Sequence, residues 1–206
     1  MSVSGSAMSS RSRATKAKPR KKGLSLIEKT IAVIIIITIV WAAYSFSQPP
    51  PATTNTSGLA PDFTLPVVNQ NGLTGQKVSL ASFRGKVVFL EFMVPWCVHC
   101  QNMAPILEKL YQQYGRENVV FLSVSGAWRQ SPGGAPASAS DAATFIRTYQ
   151  SSWTYVYDSS NSIFNAYGVN QTPIFFIIAK DGKIAATFSG EVAAETLAAA
   201  ITRLNV

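Results

Sequence analysis

The chain has 206 residues, of which 47% are hydrophobic and two are cysteine, and a formal net charge of +8. That length fits one ordinary domain plus extensions; the apolar content excludes a disordered or collagen-like chain, and two cysteines exclude a disulfide-dense mini-protein. Residues 1–30 hold eight Lys and Arg against Glu28 alone and so carry +7, leaving +1 for everything after them. The remainder has no basic stripe for phosphates, so nucleic acid is not the expected partner and a membrane is.

Residues 1–29 read as a basic cytoplasmic tail. Thr30–Ser47 (TIAVIIIITIVWAAYSFS) follows as 18 residues without a charge; as a helix this covers roughly 27 Å, about one hydrocarbon thickness, and predicts a transmembrane anchor over 30–47 in contact with the lipid bilayer. A buried core helix seldom follows a basic tail and precedes a Pro-rich stretch. Trp41 and Tyr44 suit an interfacial aromatic belt, and the positive-inside rule places the N-terminus in the cytoplasm and the rest outside, giving a single-pass cell-membrane protein. Ala43-Tyr44-Ser45 looks like a signal-peptide cleavage site, but the apolar run exceeds the usual signal core, so an uncleaved anchor is expected. Gly23, followed by Leu24 and Glu28, resembles a type IV prepilin processing site, although nothing downstream looks like a pilin. Residues 48–60 (QPPPATTNTSGLA) have the composition of an extended spacer, and 61–206 is the expected globular domain.

Within that domain, Val87–Val94 (VVFLEFMV) is a continuous apolar run expected as a fully buried central strand. Cys97–Tyr114 follows as a helix, Val119–Val124 as a second buried strand, and Asp141–Ser151 as a helix with Ser140 as its N-cap. The alternation implies parallel pairing with right-handed crossovers. Ile174–Ala179 and Ile184–Ser189 flank Lys180-Asp181-Gly182-Lys183 as an antiparallel hairpin, and Val192–Leu204 is an Ala-rich terminal helix. The fold class is therefore α/β, a mixed central sheet flanked by helices. Between Ser125 and Ser140 lies a long Gly/Pro/Ser/Ala loop carrying Trp128 and Arg129; loops of this length are either functional or disordered.

Both cysteines fall in Trp96-Cys97-Val98-His99-Cys100, where the buried strand gives way to a helix. Residues i and i+3 share a helical face at about the 5.5 Å Cα separation of a disulfide, so Cys97 and Cys100 can bridge as a redox-active pair. Cys97 at the helix N-terminus meets unsatisfied N–H groups that favour its thiolate, and the imidazole of His99 is expected to push the same way, making the disulfide more oxidising. Cys97 is thus the expected exposed nucleophile and Cys100 the buried resolving thiol. A structural zinc site needs two more ligands that the sequence does not supply, and a purely structural disulfide closing so small a loop contributes little. Glu91 lies inside the buried strand, six residues before Cys97. Its charge is costly there unless partnered or protonated, and it could exchange the proton of Cys100; the alternative is a carboxylate escaping at a sheet edge.

Ala60-Pro61-Asp62-Phe63-Thr64-Leu65, Gly85-Lys86-Val87-Val88, the Trp96–Cys100 motif, Met103-Ala104-Pro105-Ile106-Leu107, Ala166-Tyr167-Gly168-Val169 and Thr172-Pro173 together resemble the thioredoxin superfamily, and most closely its membrane-anchored TlpA/ResA-type thiol-disulfide oxidoreductases. The resemblance implies a thioredoxin-like fold over nearly all of 60–206. It also implies that Pro173 is the family's cis-proline, with Trp96, Thr172 and Pro173 facing the substrate, and that Pro105 kinks the active-site helix. Glu91 falls where thioredoxins keep a buried Asp. It implies protein thiol and disulfide substrates, a membrane-embedded redox partner, and no metal or organic cofactor. Three departures stand out: Val98-His99 replaces the Gly-Pro of reducing thioredoxins, Met103 stands where ResA-type proteins place an acidic residue, and the segment between Cys100 and Pro173 is long. Oxidation or isomerisation is slightly favoured over reduction. Two alternatives remain: a peroxiredoxin-like peroxidase, whose Thr or Ser three residues before the nucleophile is Val94 here, and a copper-binding assembly protein using the same cysteines.

Overall fold

The computed structural model describes residues 26–46, 58–115, 119–130 and 133–204, and in the first helix the side chains of residues 27, 30, 31 and 33–41. Most of the basic tail, the processing motif at Gly23 and spacer residues 48–57 lie outside the described residues. Contacts divide the chain into two units, Met1–Gln48 and Pro49–Val206.

In the first unit, α1 (Leu26–Phe46) is a 21-residue helix. Every described apolar side chain from Ile27 to Trp41 is exposed, and the hydroxyls of Thr30 and Thr38 donate back to the carbonyls of Ile27 and Ile35 at 2.8 Å. Among its described side chains the helix carries no charged residue. The span expected over 30–47 runs beyond the described side chains, which stop at Trp41; among the described residues no helix is long and apolar enough to cross a membrane.

The second unit is built on a seven-stranded mixed sheet in the order β2-β1-β5-β4-β3-β6-β7. Inside the sheet, between β4 and β6, lies β3 (Val87–Met93), all seven residues of which are buried. Branched and aromatic side chains on both faces suit a strand covered on both sides. β3 pairs in parallel with β4 (Val119–Gly126) and antiparallel with β6 (Ile174–Ile178), and β4 pairs in parallel with β5 (Thr154–Asp158). Between them run α2 (Val98–Tyr114), α3 (Ala139–Tyr149) and the short α4 (Ser162–Ala166). β7 (Ile184–Ser189) forms the expected antiparallel hairpin with β6, and α5 (Ala194–Leu204) closes the chain. At the hairpin turn Gly182 takes φ +83, a conformation glycine adopts without a side-chain clash.

Two features differ from the sequence expectation. The hairpin of β1 (Thr64–Asn69) and β2 (Gly72–Ser79), which joins the sheet antiparallel to β5, was unassigned, as was β5 itself. β1 carries Pro66 at a register shift, and β2 is a glycine-containing, largely exposed edge strand, so neither shows clean alternation. Second, α3 begins two residues earlier than expected, with Ser138 rather than Ser140 as N-cap. Ser138 Oγ accepts from Asp141 N at 3.2 Å while Asp141 Oδ2 accepts from Ser138 N at 2.8 Å. This reciprocal box needs the carboxylate three residues after the cap, and Ser140 has Ala143 there.

The described part of the long loop is tied to the core. Trp128 lies 5.1 Å from Phe164 in an edge-to-face contact, and its carbonyl accepts both Ala137 N at 2.9 Å and Trp96 Nε1 at 3.2 Å. Arg129 pairs with Pro136 across the loop, and the Tyr157 hydroxyl donates to Ala137 O at 2.8 Å.

Candidate active site

Cys97 is the N-cap of α2, placed by the turn that follows β3; its N–H donates to Val94 O at 3.1 Å. Both thiols are free, Cys97 being 7% exposed and Cys100 fully buried. The nucleophile expected to be exposed is therefore mostly covered. The Thr172–Pro173 segment, joined by a cis peptide bond, lies against it, with the Thr172 carbonyl oxygen 3.3 Å from Cys97 Sγ. Cys97 is still the more accessible of the two sulfurs. Pro105 lies inside α2, where it cannot donate to the carbonyl one turn back.

The two thiols titrate in opposite directions. A hydrogen bond from the Cys100 thiol lowers Cys97 from 9.0 to about 5, against the opposing effect of burial; bonding to Thr172 and to the backbone N–H groups of Cys100 and His99 adds to the lowering. Burial, together with the bond Cys100 donates and the nearby charge of Glu91, pushes the Cys100 thiol far upward. One sulfur is thus held as thiolate and the other as its proton donor, the division of roles that thiol-disulfide exchange requires.

Glu91 is 2% exposed in the central strand, so the escape to a sheet edge is excluded. Burial raises its carboxyl from 4.5 to about 7, a bond from Ser123 opposes that rise, and the charge of Cys97 adds to it. Ser123 stands opposite Glu91 in the β3–β4 register, with its Oγ 2.5 Å from Glu91 Oε2, and Trp153 Nε1 donates to the same Oγ at 2.7 Å. Neither partner was singled out in the sequence. The available signal was a serine inside VVFLSV, a polar residue in a run otherwise fit for the core.

His99 interacts with Cys97 through charge, while its ring makes its hydrogen bond elsewhere. Its ring is exposed and turns to Glu191, with Nδ1 2.7 Å from Oε1, and Asn102 Nδ2 donates to the same oxygen at 2.8 Å. The bond to Glu191 raises the His99 imidazole above 6.5. It is the backbone N–H of His99, not the ring, that bonds the Cys97 sulfur. Glu191, 92 residues away and outside any motif, had no sequence signal. Met103, which occupies the position of the family's acidic residue, is fully buried.

Trp96 is half-buried between Cys97 and the loop. With Pro95 it forms one wall of a groove of about 400 Å³, whose opposite side is lined by Ala137 and by Phe145 and Tyr149 of α3. Among the described residues no group of three or more His, Cys, Asp or Glu is placed to hold a metal ion.

Comparison with known proteins fits this geometry. The AhpC/TSA family model matches residues 57–187. The thiol-disulfide oxidoreductase ResA of Geobacillus thermodenitrificans is 27% identical over 178 residues, 86% of this chain and 94% of its own. ResA of Bacillus thuringiensis subsp. konkukian is 31% identical over 140 residues, 67% and 72% of the two chains. Among solved structures, a thioredoxin-family thiol:disulfide interchange protein from Chlorobium tepidum is similar with a TM-score of 0.59 at 17% identity, covering 73% of this chain and 98% of that one. The thioredoxin domain of a Bacteroides vulgatus thiol-disulfide oxidoreductase is similar with a TM-score of 0.58 at 22% identity, covering 73% and 99%. These structural likenesses show that the fold is thioredoxin-like. The chain belongs to the AhpC/TSA family and is a ResA-like thiol-disulfide oxidoreductase.

Proposed function

We propose that the protein exchanges disulfides with extracytoplasmic protein substrates from a membrane tether, with oxidation or isomerisation favoured over reduction, Cys97 as nucleophile and Cys100 as resolving thiol. The observation that carries this reading is the placement of Cys97 as N-cap of α2 with Cys100 one turn on, where the bond from the Cys100 thiol lowers Cys97 to about 5. A stabilised thiolate stabilises the reduced pair, and a stable reduced pair makes the disulfide a better oxidant. Glu91 exchanges the proton of Cys100, and Thr172, Pro173 and Trp96 present the surface against which an extended substrate segment lies. The tether is supported by α1, whose described apolar side chains are exposed, and by the +7 charge preceding it. A membrane-embedded partner then resets the pair.

A redox titration of Cys97 and Cys100 against glutathione tests the direction. A potential near that of glutaredoxin or above supports oxidation or isomerisation, and one near thioredoxin assigns the protein to reduction. For the tether, a membrane-impermeant maleimide applied to intact cells should label the reduced pair; labelling only after lysis would place the domain on the other side.

A further inference from the structure

We propose that Ser123 is a positioning residue for proton exchange at the cysteine pair: its hydroxyl holds Oε2 of Glu91 and leaves Oε1 to take or return the proton of Cys100, with Trp153 fixing the direction of that hydroxyl. The proposal rests on the oxidoreductase reading of Cys97 and Cys100.

A serine hydroxyl has one hydrogen and two acceptor sites, whereas an indole Nε1–H only donates. Trp153 Nε1 lies 2.7 Å from Ser123 Oγ, so one acceptor site of the hydroxyl is filled. An ionised carboxylate carries no hydrogen and can only accept, so toward charged Glu91 the hydroxyl must be the donor. It therefore donates to Oε2 at 2.5 Å. With Oε2 occupied as an acceptor, a proton on Glu91 resides on Oε1.

The strands make this arrangement rigid. Glu91 and Ser123 are register partners in β3 and β4, and Ser123 is itself the partner of Tyr155 in β5. The titratable groups that act on Glu91 from the surrounding elements are Cys97 and Cys100 at the start of α2 and Tyr155 in β5, whose hydroxyl burial raises well above its ordinary range. No cation neutralises Glu91 among these, so the Ser123 hydroxyl is the group that favours its charged form.

The proton balance follows. When Cys100 resolves a mixed disulfide, its S–H proton passes to Glu91 Oε1. Its sulfur bonds to Cys97 Sγ while the bond from Cys97 to the substrate sulfur breaks, and the electron pair leaves on that sulfur as a thiolate. In reverse, a substrate thiolate attacks Cys97 of the disulfide, and Cys100 departs with the electron pair and takes the proton from Oε1. In both directions Ser123 keeps its hydrogen and sets only the affinity of Glu91 for the proton.

The test is the pH profile of release of glutathione from full-length protein carrying a Cys97–glutathione mixed disulfide, followed in S123A, S123T and W153F. In S123A the midpoint is expected to move up by about one pH unit, so that release at pH 7 slows by up to about tenfold. S123T restores the wild-type midpoint, and W153F shifts it in the same direction by less. The Trp153 component of emission, isolated by difference against W153F, should titrate with the wild-type midpoint and lose that titration in S123A. Unchanged profiles in S123A and W153F, with glutathione released normally, would overturn the proposal while leaving the oxidoreductase reading intact. Failure of the wild type to release glutathione at any pH would overturn that reading and the proposal with it. If S123A does not fold, the W153F and S123T profiles decide the matter.

Discussion

Two carboxylates flank the cysteine pair in opposite surroundings. Glu91 lies beneath it, 2% exposed, with one oxygen held by a serine that is itself held by a tryptophan. Glu191 lies on the surface, 47% exposed, and bonds His99 and Asn102 through one oxygen. Water screens the second cluster and is excluded from the first, so similar short bonds have different consequences. Burial moves Glu91 to about 7, into the range where proton exchange near neutral pH is effective. The ion pair above it sets the orientation and charge of an imidazole without tying the fold together.

The largest effects belong to the sulfurs between these clusters. Cys97→Ser should abolish covalent capture of substrates, and Cys100→Ser should accumulate mixed disulfides, both read on non-reducing gels after acid quenching; the reverse pattern would exchange their roles. Next comes Glu91→Gln. The folded protein keeps the Glu91 proton up to about pH 7, whereas the unfolded chain releases it near its ordinary 4.5. The stabilising contribution is thus complete below about 4.5 and is lost as pH rises to about 7, amounting to roughly 3 kcal/mol. Denaturant unfolding of the reduced protein should show this decline, and E91Q should lack it. A moderate effect is expected in the titration of Cys97 by iodoacetamide. Its midpoint should lie near 5, and in Cys100→Ala it should rise toward that of an ordinary thiol, because the Cys100 hydrogen bond is the first cause of the shift. The smallest belongs to Glu191→Gln. His99 is the one histidine in the chain, so its ring resonances need no assignment by mutation. Their midpoint should fall in E191Q while the melting temperature stays unchanged; a large loss of stability there would erase the contrast between the two carboxylates.

Much of this arrangement was legible from sequence because it is local. The uninterrupted run VVFLEFMV predicts a strand covered on both faces, and the cysteine spacing across the following helix start predicts the pairing. Glu91 stood out as a charge in a place meant for none. What escaped depends on separation in the chain or on weak patterning. β1 and β2 sit at the sheet edge, where Pro66, glycines and polar residues blur the alternation. Ser123 and Trp153 become partners of Glu91 only through strand register, and Glu191 reaches His99 from the far side of the β6–β7 hairpin. The imidazole acts on Cys97 through charge, as sequence adjacency suggests, but its hydrogen bond goes to Glu191. The hydrogen bonds to the sulfur from this turn include the amides of His99 and Cys100.

The carbonyl of Trp128 accepts from both Trp96 Nε1 and Ala137 N. A carbonyl oxygen has two lone pairs, and both are thereby committed. A polypeptide settling into the neighbouring groove finds no anchorage at that oxygen: one of its bonds ties the loop to the cysteine turn through Trp96, and the other closes the loop on itself through Ala137.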